Sequence, residues 1–284
     1  MKPKLKSLDE ALALCESGMT LGLGGATMRR KPMSLVRGLA GSEVTDLHVW
    51  TWLGSADVDL LVGAGKVSSL DTAYVGFGAF GLAQTSRRAF VDGSVEFTDW
   101  SESSLVGAFR AGASGMPYSL TRALLGTDLA EGLAVDADNP FGDERVQATP
   151  AANPDVAFIH AQSADEFGNV RRRSPRHNDD IDHVIAASAK TVIVSVEEVD
   201  DSAEIVANRD ETVIPGHYVD AVVHLPNGSF PTGCDGYYDP DIEHFRLYAE
   251  ASGSEDGIAA YIDRFVADVS PEEFRELAGS GVTL

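Results

Sequence analysis

Apolar and polar positions change period repeatedly along the chain, from helical spacing to short strand-like runs and back. Residues 8–16 place Leu8, Ala11 and Leu12 on one helical face, and residues 19–23 form a compact apolar run typical of a buried strand. Further helices are predicted at 33–40, 57–62, 86–91, 103–112, 181–188 and 242–277, with strands at 46–51, 73–77, 95–97, 155–160, 191–196 and 218–225. This alternation predicts an α/β fold: a mostly parallel sheet with helices on both faces.

Residues 127–154 interrupt the alternation. They are rich in Asp, Gly, Asn and Pro, which predicts an irregular excursion rather than a further strand and helix. No repeat and no low-complexity linker divides the chain, so residues 1–284 are expected to form one domain that contains this excursion.

Charge narrows the possible partners. The chain has 44 acidic and 22 basic residues, a formal net charge of −22, which argues against a nucleic-acid surface. So acidic a surface suggests a cytoplasm of high ionic strength and an extreme halophile as the source, whereas an ordinary acidic enzyme is the alternative. Thermal unfolding in dilute buffer and in molar KCl separates the two, because only a halophilic protein should need the salt.

The cysteines and the N-terminus bear on location. Cys15 and Cys234 lie far apart in sequence without ligand spacing, which predicts unpaired thiols, no metal site and a cytoplasmic protein. The N-terminal lysines precede no apolar signal segment, and no apolar run approaches the roughly 18 residues of a membrane span.

A glycine-rich turn at residues 21–32 is the first candidate for chemistry. Gly24 and Gly25 end a strand, and Arg29 precedes the next helix, so backbone amides there could stabilise an anionic oxygen. The spacing fits neither a dinucleotide fingerprint nor a P-loop. A plain strand-to-helix turn is the alternative.

A set of segments in order resembles the A subunits of the CoA-transferase superfamily, of the glutaconate CoA-transferase type. The set comprises the Gly-Gly loop with its Arg-Lys-Pro and the segments at 44–47, 59–67, 115–118, 137–141, 159–162 and 214–223. Where that family usually has an aromatic residue after the two glycines, this chain has Ala26. The resemblance implies the fold shared by that superfamily and the NagB and RpiA proteins.

The resemblance also implies a reaction and a partner. A glutamate attacks an acyl-CoA thioester, and CoA then passes to a free carboxylate, with the nucleophile supplied by a B-type subunit. This chain has no Ser-Glu-Asn-Gly stretch, which commonly carries that glutamate. A heteromer with CoA thioester as substrate and no permanent cofactor is therefore expected. The substrate-binding residues expected here are Gly24, Gly25, Arg29, Gly76, Gly78, Ser101, Arg122 and Gln162.

Glu102 keeps a second enzyme class open. It stands at the start of a predicted helix, and this region also resembles the A subunit of a hydrolase that opens a ring on a CoA thioester, with an acidic catalytic residue at the matching place. Glu102 would then be the base, whereas a helix-start residue is the structural alternative. A non-catalytic binding module of the same fold is a third possibility.

Two other features stay open from the sequence. His160 ends a predicted strand, so it either faces a ligand or is a hydrogen-bonded core residue. Arg171, Arg172, Arg173, Arg176 and His177 form the basic cluster of the chain, which is either an anion or partner contact or a solvated loop.

Overall fold

The structure is a computed structural model that describes residues 2–172 and 180–279. Within those residues the strands are β1 Thr20–Ala26, β2 Leu47–Gly54, β3 Val67–Val75, β4 Glu96–Asp99, β5 Tyr118–Thr121, β6 Val135–Ala137, β7 Val146–Pro150, β8 Val156–Asp165, β9 Val170–Arg171, β10 Thr191–Asp200, β11 Thr212–Ile214 and β12 Ala221–His224. The helices are α1 Leu8–Leu12, α2 Met33–Ala40, α3 Ala56–Gly63, α4 Gln84–Asp92, α5 Glu102–Ala113, α6 Asp182–Ser188, α7 Ser202–Ala207, α8 Ile242–Ser252, α9 Glu255–Phe265 and α10 Pro271–Gly279.

A large sheet organises the molecule. Seven strands run parallel in the order β12-β10-β8-β1-β2-β3-β4, and β9 and β11 extend the far end of β8 as antiparallel strands. Because the seven strands are parallel, their carboxyl ends lie at one edge, where α/β proteins place ligand-binding residues. The predicted α/β fold with a mostly parallel sheet is confirmed.

Helices cover both faces of this sheet. Side chains alternate between two apolar clusters: Ile193 of β10 belongs to one, and its neighbours Val192 and Val194 belong to the other. The first cluster includes side chains of α2, α3, α8 and α9, and the second includes side chains of α5 and α6. Burial on both faces explains why the strands are near-continuous apolar runs in the sequence.

A second, three-stranded antiparallel sheet has the order β5-β7-β6. Two of its strands, β6 and β7, lie within residues 127–154. The expectation of an irregular excursion is therefore wrong for these strands. They are short, and their turn-forming neighbours dominate the local composition, which hides the strand pattern.

Two predicted elements have different bounds. The strand expected at 218–225 begins at Ala221, because Gly216–Tyr218 forms a 3₁₀ turn. The helical stretch expected at 242–277 is three helices, and Ser254 caps the second by accepting from the Gly257 N–H. Within the described part of the chain, every helix is too short or too polar to cross a bilayer.

Candidate functional site

Three of the predicted segments meet at the carboxyl edge of the large sheet. Ala26 of β1 is level with Leu53 of β2, and Leu53 is level with Tyr74 of β3. The loop after β1, Gly76 after β3 and Glu102 after β4 therefore follow neighbouring strands at the same edge. Gly78 is exposed, and a Cβ added to it would lie 3.4 Å from Met28 Sδ in the β1 loop.

The β1–α2 loop, residues 24–31, has a conformation that requires glycine at position 25. Gly25 has φ +73°, and a Cβ there would lie 2.6 Å from the carbonyl oxygen of Arg30. The constraint comes from the loop's own backbone and not, as expected, from a substrate. A Cβ at Gly24 would meet Asp182 Oδ1 at 2.9 Å.

The backbone amides of this loop are mostly bonded within the chain. The N–H of Gly25 donates to Asp182 Oδ1 at 2.7 Å, and the N–H groups of Ala26 and Thr27 donate to the carbonyls of Arg29 and Leu53. A free Gly25 amide aimed at a substrate oxygen was expected, and this correction follows from the Asp182 carboxylate that occupies it.

Two buried cations hold the same loop from behind. Arg30 is 1% exposed and pairs with Asp235 at 2.9 Å and Asp182 at 3.4 Å. Lys31 is fully buried, pairs with Asp57 Oδ2 at 3.0 Å, and donates to the carbonyl oxygens of Gly24 and Gly25 at 3.3 Å each. The loop is therefore fixed before any ligand arrives.

Arg29, in contrast, lies half-buried in a cleft of about 400 Å³. Met28, Asp235 and Tyr238 line the same cleft. Of the three consecutive cations at 29–31, the first is thus the one that reaches a ligand-accessible space. The sequence named Arg29 but gave no sign that Arg30 and Lys31 are structural.

A buried hydrogen-bond network lies beneath this cleft. His160 is fully buried on β8, its Nδ1 lies 2.9 Å from Ser195 Oγ, and its Nε2 lies 2.8 Å from Glu197 Oε1. Tyr238 donates its hydroxyl to Glu197 Oε1 at 2.6 Å, and the N–H of Asn227 donates to Oε2. Of the two alternatives for His160, the structure fits the hydrogen-bonded core residue.

The electrostatics of this network follow from the same bonds. Burial alone would raise the pKa of Glu197, but the hydrogen bonds from His160, Tyr238 and Asn227 outweigh it and hold that pKa below its ordinary value. The Cys234 thiol is also close: a ligand atom from each of Cys234, His160 and Glu197 lies within 4.8 Å of the others. Burial raises the pKa of Cys234, which keeps it a neutral thiol.

Two further predicted site residues have structural contacts. Gln162 is 1% exposed on β8, and its Nε2 donates to the carbonyl of Asp235. Ser101 caps α5 by accepting from the N–H of Ser104 at 3.2 Å. Both residues support elements of the site; direct substrate contact by them remains a prediction.

Glu102 is the first residue of α5 and is exposed in a shallow cleft of about 290 Å³. Trp52, Val106 and Arg110 line this cleft, and the indole Nε1 of Trp52 is buried without a hydrogen-bond partner among the described residues. Sequence reasoning missed Trp52 and Arg110. Glu102, Val106 and Arg110 are spaced by four residues on one helical face, which is a signal that could have found Arg110.

Arg122 lies apart from these groups, just after β5 in the small sheet. Its Nη1 is 2.8 Å from Glu144 Oε2, and both side chains are about two-thirds exposed (63% and 66%). It does not line the Glu102 cleft. Arg110 is the arginine that the fold places beside Glu102.

The basic cluster is only partly within the described residues. Arg171 is buried and pairs with Asp200 at 2.8 Å and Glu211 at 2.5 Å, and Arg172 pairs with Asp180. Arg171 is therefore committed to intrachain ion pairs and not to an external anion. Arg173, Arg176 and His177 lie outside the described residues.

Comparisons with known proteins bear on this geometry. The coenzyme A transferase family model matches residues 5–225. The chain is 32% identical to the A subunit of glutaconate CoA-transferase from Acidaminococcus fermentans, over 95% of this chain and 90% of that protein. It is also 32% identical to the cholesterol ring-cleaving hydrolase IpdA subunit of Rhodococcus jostii, over 94% of this chain and 98% of that protein.

A solved structure agrees with the sequence comparison. The crystal structure of glutaconate coenzyme A-transferase from Acidaminococcus fermentans matches with a TM-score of 0.92 and 30% identity, covering 98% of this chain and 93% of that chain. The chain also spans 64% of the length of an uncharacterised protein of Archaeoglobus fulgidus, to which it is 32% identical.

Proposed function

Because the chain belongs to the coenzyme A transferase family, we propose that it is the A-type subunit of a heteromeric CoA-transferase. The enzyme would move CoA between an acyl-CoA and a free carboxylic acid. The observation that carries this proposal is the near-complete overlap with a structure of glutaconate CoA-transferase, at a TM-score of 0.92. Similarity to a protein that is itself named as one of two kinds of subunit supports a role within a larger enzyme.

The division of labour follows from what this chain offers. It lacks the Ser-Glu-Asn-Gly stretch that would carry the nucleophilic glutamate, so a B-type subunit would supply it. The rigid loop at residues 24–31 would form one wall of the acyl site, with Arg29 and Gly78 toward the substrate. Since most loop amides are bonded within the chain, stabilisation of the thioester oxyanion would come from other groups.

A second candidate is a partner-dependent hydrolase in which Glu102 is the base. Its support is the exposed Glu102 carboxylate in a cleft with Arg110 and Trp52, together with the similarity to a protein named a ring-cleaving hydrolase subunit. A buried indole N–H without a partner could donate to a bound polar group there. A non-catalytic binding module is the third alternative.

Replacement of Glu102 separates the two enzyme classes. In the complex with a B-type subunit, Glu102→Gln should keep most CoA transfer, because Gln preserves size and the nucleophile lies on the partner. In the hydrolase the same change removes the base and should cost about 10²-fold or more. Glu96→Gln, which alters an exposed glutamate on β4, is the matched control.

Trapping gives an independent answer. Acyl-CoA followed by hydroxylamine or borohydride should label a glutamate of the B-type subunit but leave this chain unlabelled. Lost turnover in Glu102→Gln without any labelled partner glutamate would replace the transferase with the hydrolase. The chain alone should be inactive, and full CoA transfer by the lone chain would contradict the subunit role.

The cellular setting is part of the same proposal. We expect a cytoplasmic enzyme, since both cysteines are buried and unpaired, and a halophilic source, since the net charge is −22. No resident cofactor is expected, and the CoA thioester enters as substrate.

A further inference from the structure

The small sheet has an outer face made of apolar side chains. Strand pairing aligns Leu120 with Ala148 and Tyr118 with Pro150 on one side, and Val135 with Ala148 on the other. Because alternate residues share a face, one face collects an uninterrupted apolar set. Its members are Tyr118, Leu120, Val135, Ala137, Val146, Ala148 and Pro150.

The polarity of this sheet is reversed. Its other face carries Ser119, Gln147 and Thr149, and this face packs toward α5: a Cβ added to Gly107 of α5 would lie 2.8 Å from Ser119 Oγ. Gln147 and Thr149 are buried, whereas Tyr118, Leu120 and Val135 are 50%, 52% and 68% exposed. An antiparallel sheet with one solvated face normally has the opposite arrangement.

Neighbouring segments extend the exposed apolar surface. Met116 precedes β5 at the same alternation and is 50% exposed, and Phe141 in the turn between β6 and β7 is 97% exposed. Contiguous apolar surface of this kind on a folded protein marks a place where another molecule binds. An aromatic side chain left almost wholly in water is typical of an interface anchor.

Charge indicates which kind of molecule covers the face. Residues 116–150 contain six carboxylates and two arginines, and both arginines are already paired, Arg122 with Glu144 and Arg145 with Asp136. Asp128, Glu131, Asp138 and Asp143 are exposed. A second copy of this chain would bring the same excess of negative charge to the same place, which opposes self-association.

We propose that this apolar face docks the B-type subunit through an apolar area framed by basic residues, and this inference rests on the proposed function. Its position suits that role, because α5 packs against β5 and β7 and carries Glu102 at its first turn. A partner seated on the face would lie beside the Glu102 cleft. Docking would thereby bring the partner's residues close to the shallow cleft that this chain leaves open.

Substitution of the face tests the proposal. Val135→Glu and Leu120→Glu place a charge in the centre of the contact, where it would lose its water. With the B-type subunit co-expressed, each change should weaken assembly by at least about 30-fold, measured by light scattering and by titration of the purified chains. Val206→Glu and Val91→Glu are matched controls, because these valines are 70% and 81% exposed elsewhere. Both controls should assemble normally.

Assembly is measured without substrate, so it is separate from the reaction. A wild-type complex that forms but transfers no CoA would remove the transferase and leave the docking face intact. Hydrogen exchange adds a measurement free of substitutions: amides in residues 116–150 should be slowed by the B-type subunit. Normal assembly of both Glu variants, or a self-association of the lone chain that Val135→Glu abolishes, would overturn the proposal.

Discussion

The β1–α2 loop and the small sheet treat their charged residues in opposite ways. In the loop, Arg30 and Lys31 are buried and each is paired with carboxylates from distant parts of the chain. In the small sheet, Arg122 and Arg145 form exposed pairs while the outer apolar face stays in water. The loop is complete within this chain, whereas the small sheet is arranged for something outside it.

The difference teaches where energy and function separate. Breaking a buried ion pair leaves an uncompensated charge, so the loop should be costly to change even though few of its groups can reach a ligand. Exposed pairs contribute little to folding, so changes in the small sheet should act on assembly or substrate binding. The following variants test this contrast.

Lys31→Met should have the largest effect on folding. It would leave the Asp57 carboxylate buried without its cation, at a cost of about 3 to 5 kcal/mol in the free energy of unfolding. Urea-induced unfolding measures this. Lys190→Met is the control, because Lys190 is 72% exposed in its pair with Asp155 and should cost under about 1 kcal/mol. Similar losses in the two variants would break the comparison.

Gly25→Ala should come next. Its Cβ would lie 2.6 Å from the Arg30 carbonyl oxygen at φ +73°, so strain and collision add to at least about 2 kcal/mol. Gly18→Ala has the same left-handed conformation, φ +82°, in open space, and should cost only about 1 kcal/mol. Thermal unfolding compares the pair. Equal losses would mean that the loop yields to a side chain.

His244 shows what burial costs without a counter-charge. Burial, aided by the nearby Arg37 charge, lowers the pKa of His244 to about 4. The unfolded chain binds this proton below pH 6.5 and the folded chain does not, so the stability is complete above pH 6.5 and is lost as pH falls towards 4. About 2 kcal/mol should be lost by pH 5.

A variant without the titrating group isolates this loss. In His244→Phe the free energy of unfolding should shift, relative to the wild type, by about 2 kcal/mol in its favour between pH 7.5 and pH 5. Urea unfolding at the two pH values gives the difference. An unchanged difference would show that His244 titrates alike in both states.

Arg122→Gln should have the smallest effect on folding. Its ion pair with Glu144 is exposed, so the free energy of unfolding should change by less than about 0.5 kcal/mol. If Arg122 holds a substrate carboxylate, KM for the acceptor acid should rise about tenfold or more. Arg145→Gln removes a similar exposed pair and should leave KM unchanged. An unchanged KM in Arg122→Gln would remove it from the substrate site.

The sequence predicted most of the large sheet because its strands are buried on both faces and are therefore apolar throughout, as β8 and β10 are. It could not predict the small sheet, whose strands of three to five residues show reversed polarity. At the site, Gly25 and Glu102 stood out by position. The separate roles of Arg29, Arg30 and Lys31 depend on contacts with residues 57, 182 and 235, which adjacent sequence does not encode.

The two thiols of this chain carry an experimental consequence. Cys15 and Cys234 are 7% and 0% exposed, and burial raises the pKa of Cys15 to about 12 and that of Cys234 further. Neither should be alkylated while the native fold is closed, because only an exposed thiolate reacts. Labelling at Cys234 would time the opening of the segment that carries Tyr238, and labelling at Cys15 would time the release of the first helical layer. One reagent thus provides two independent clocks on the motions of a single chain.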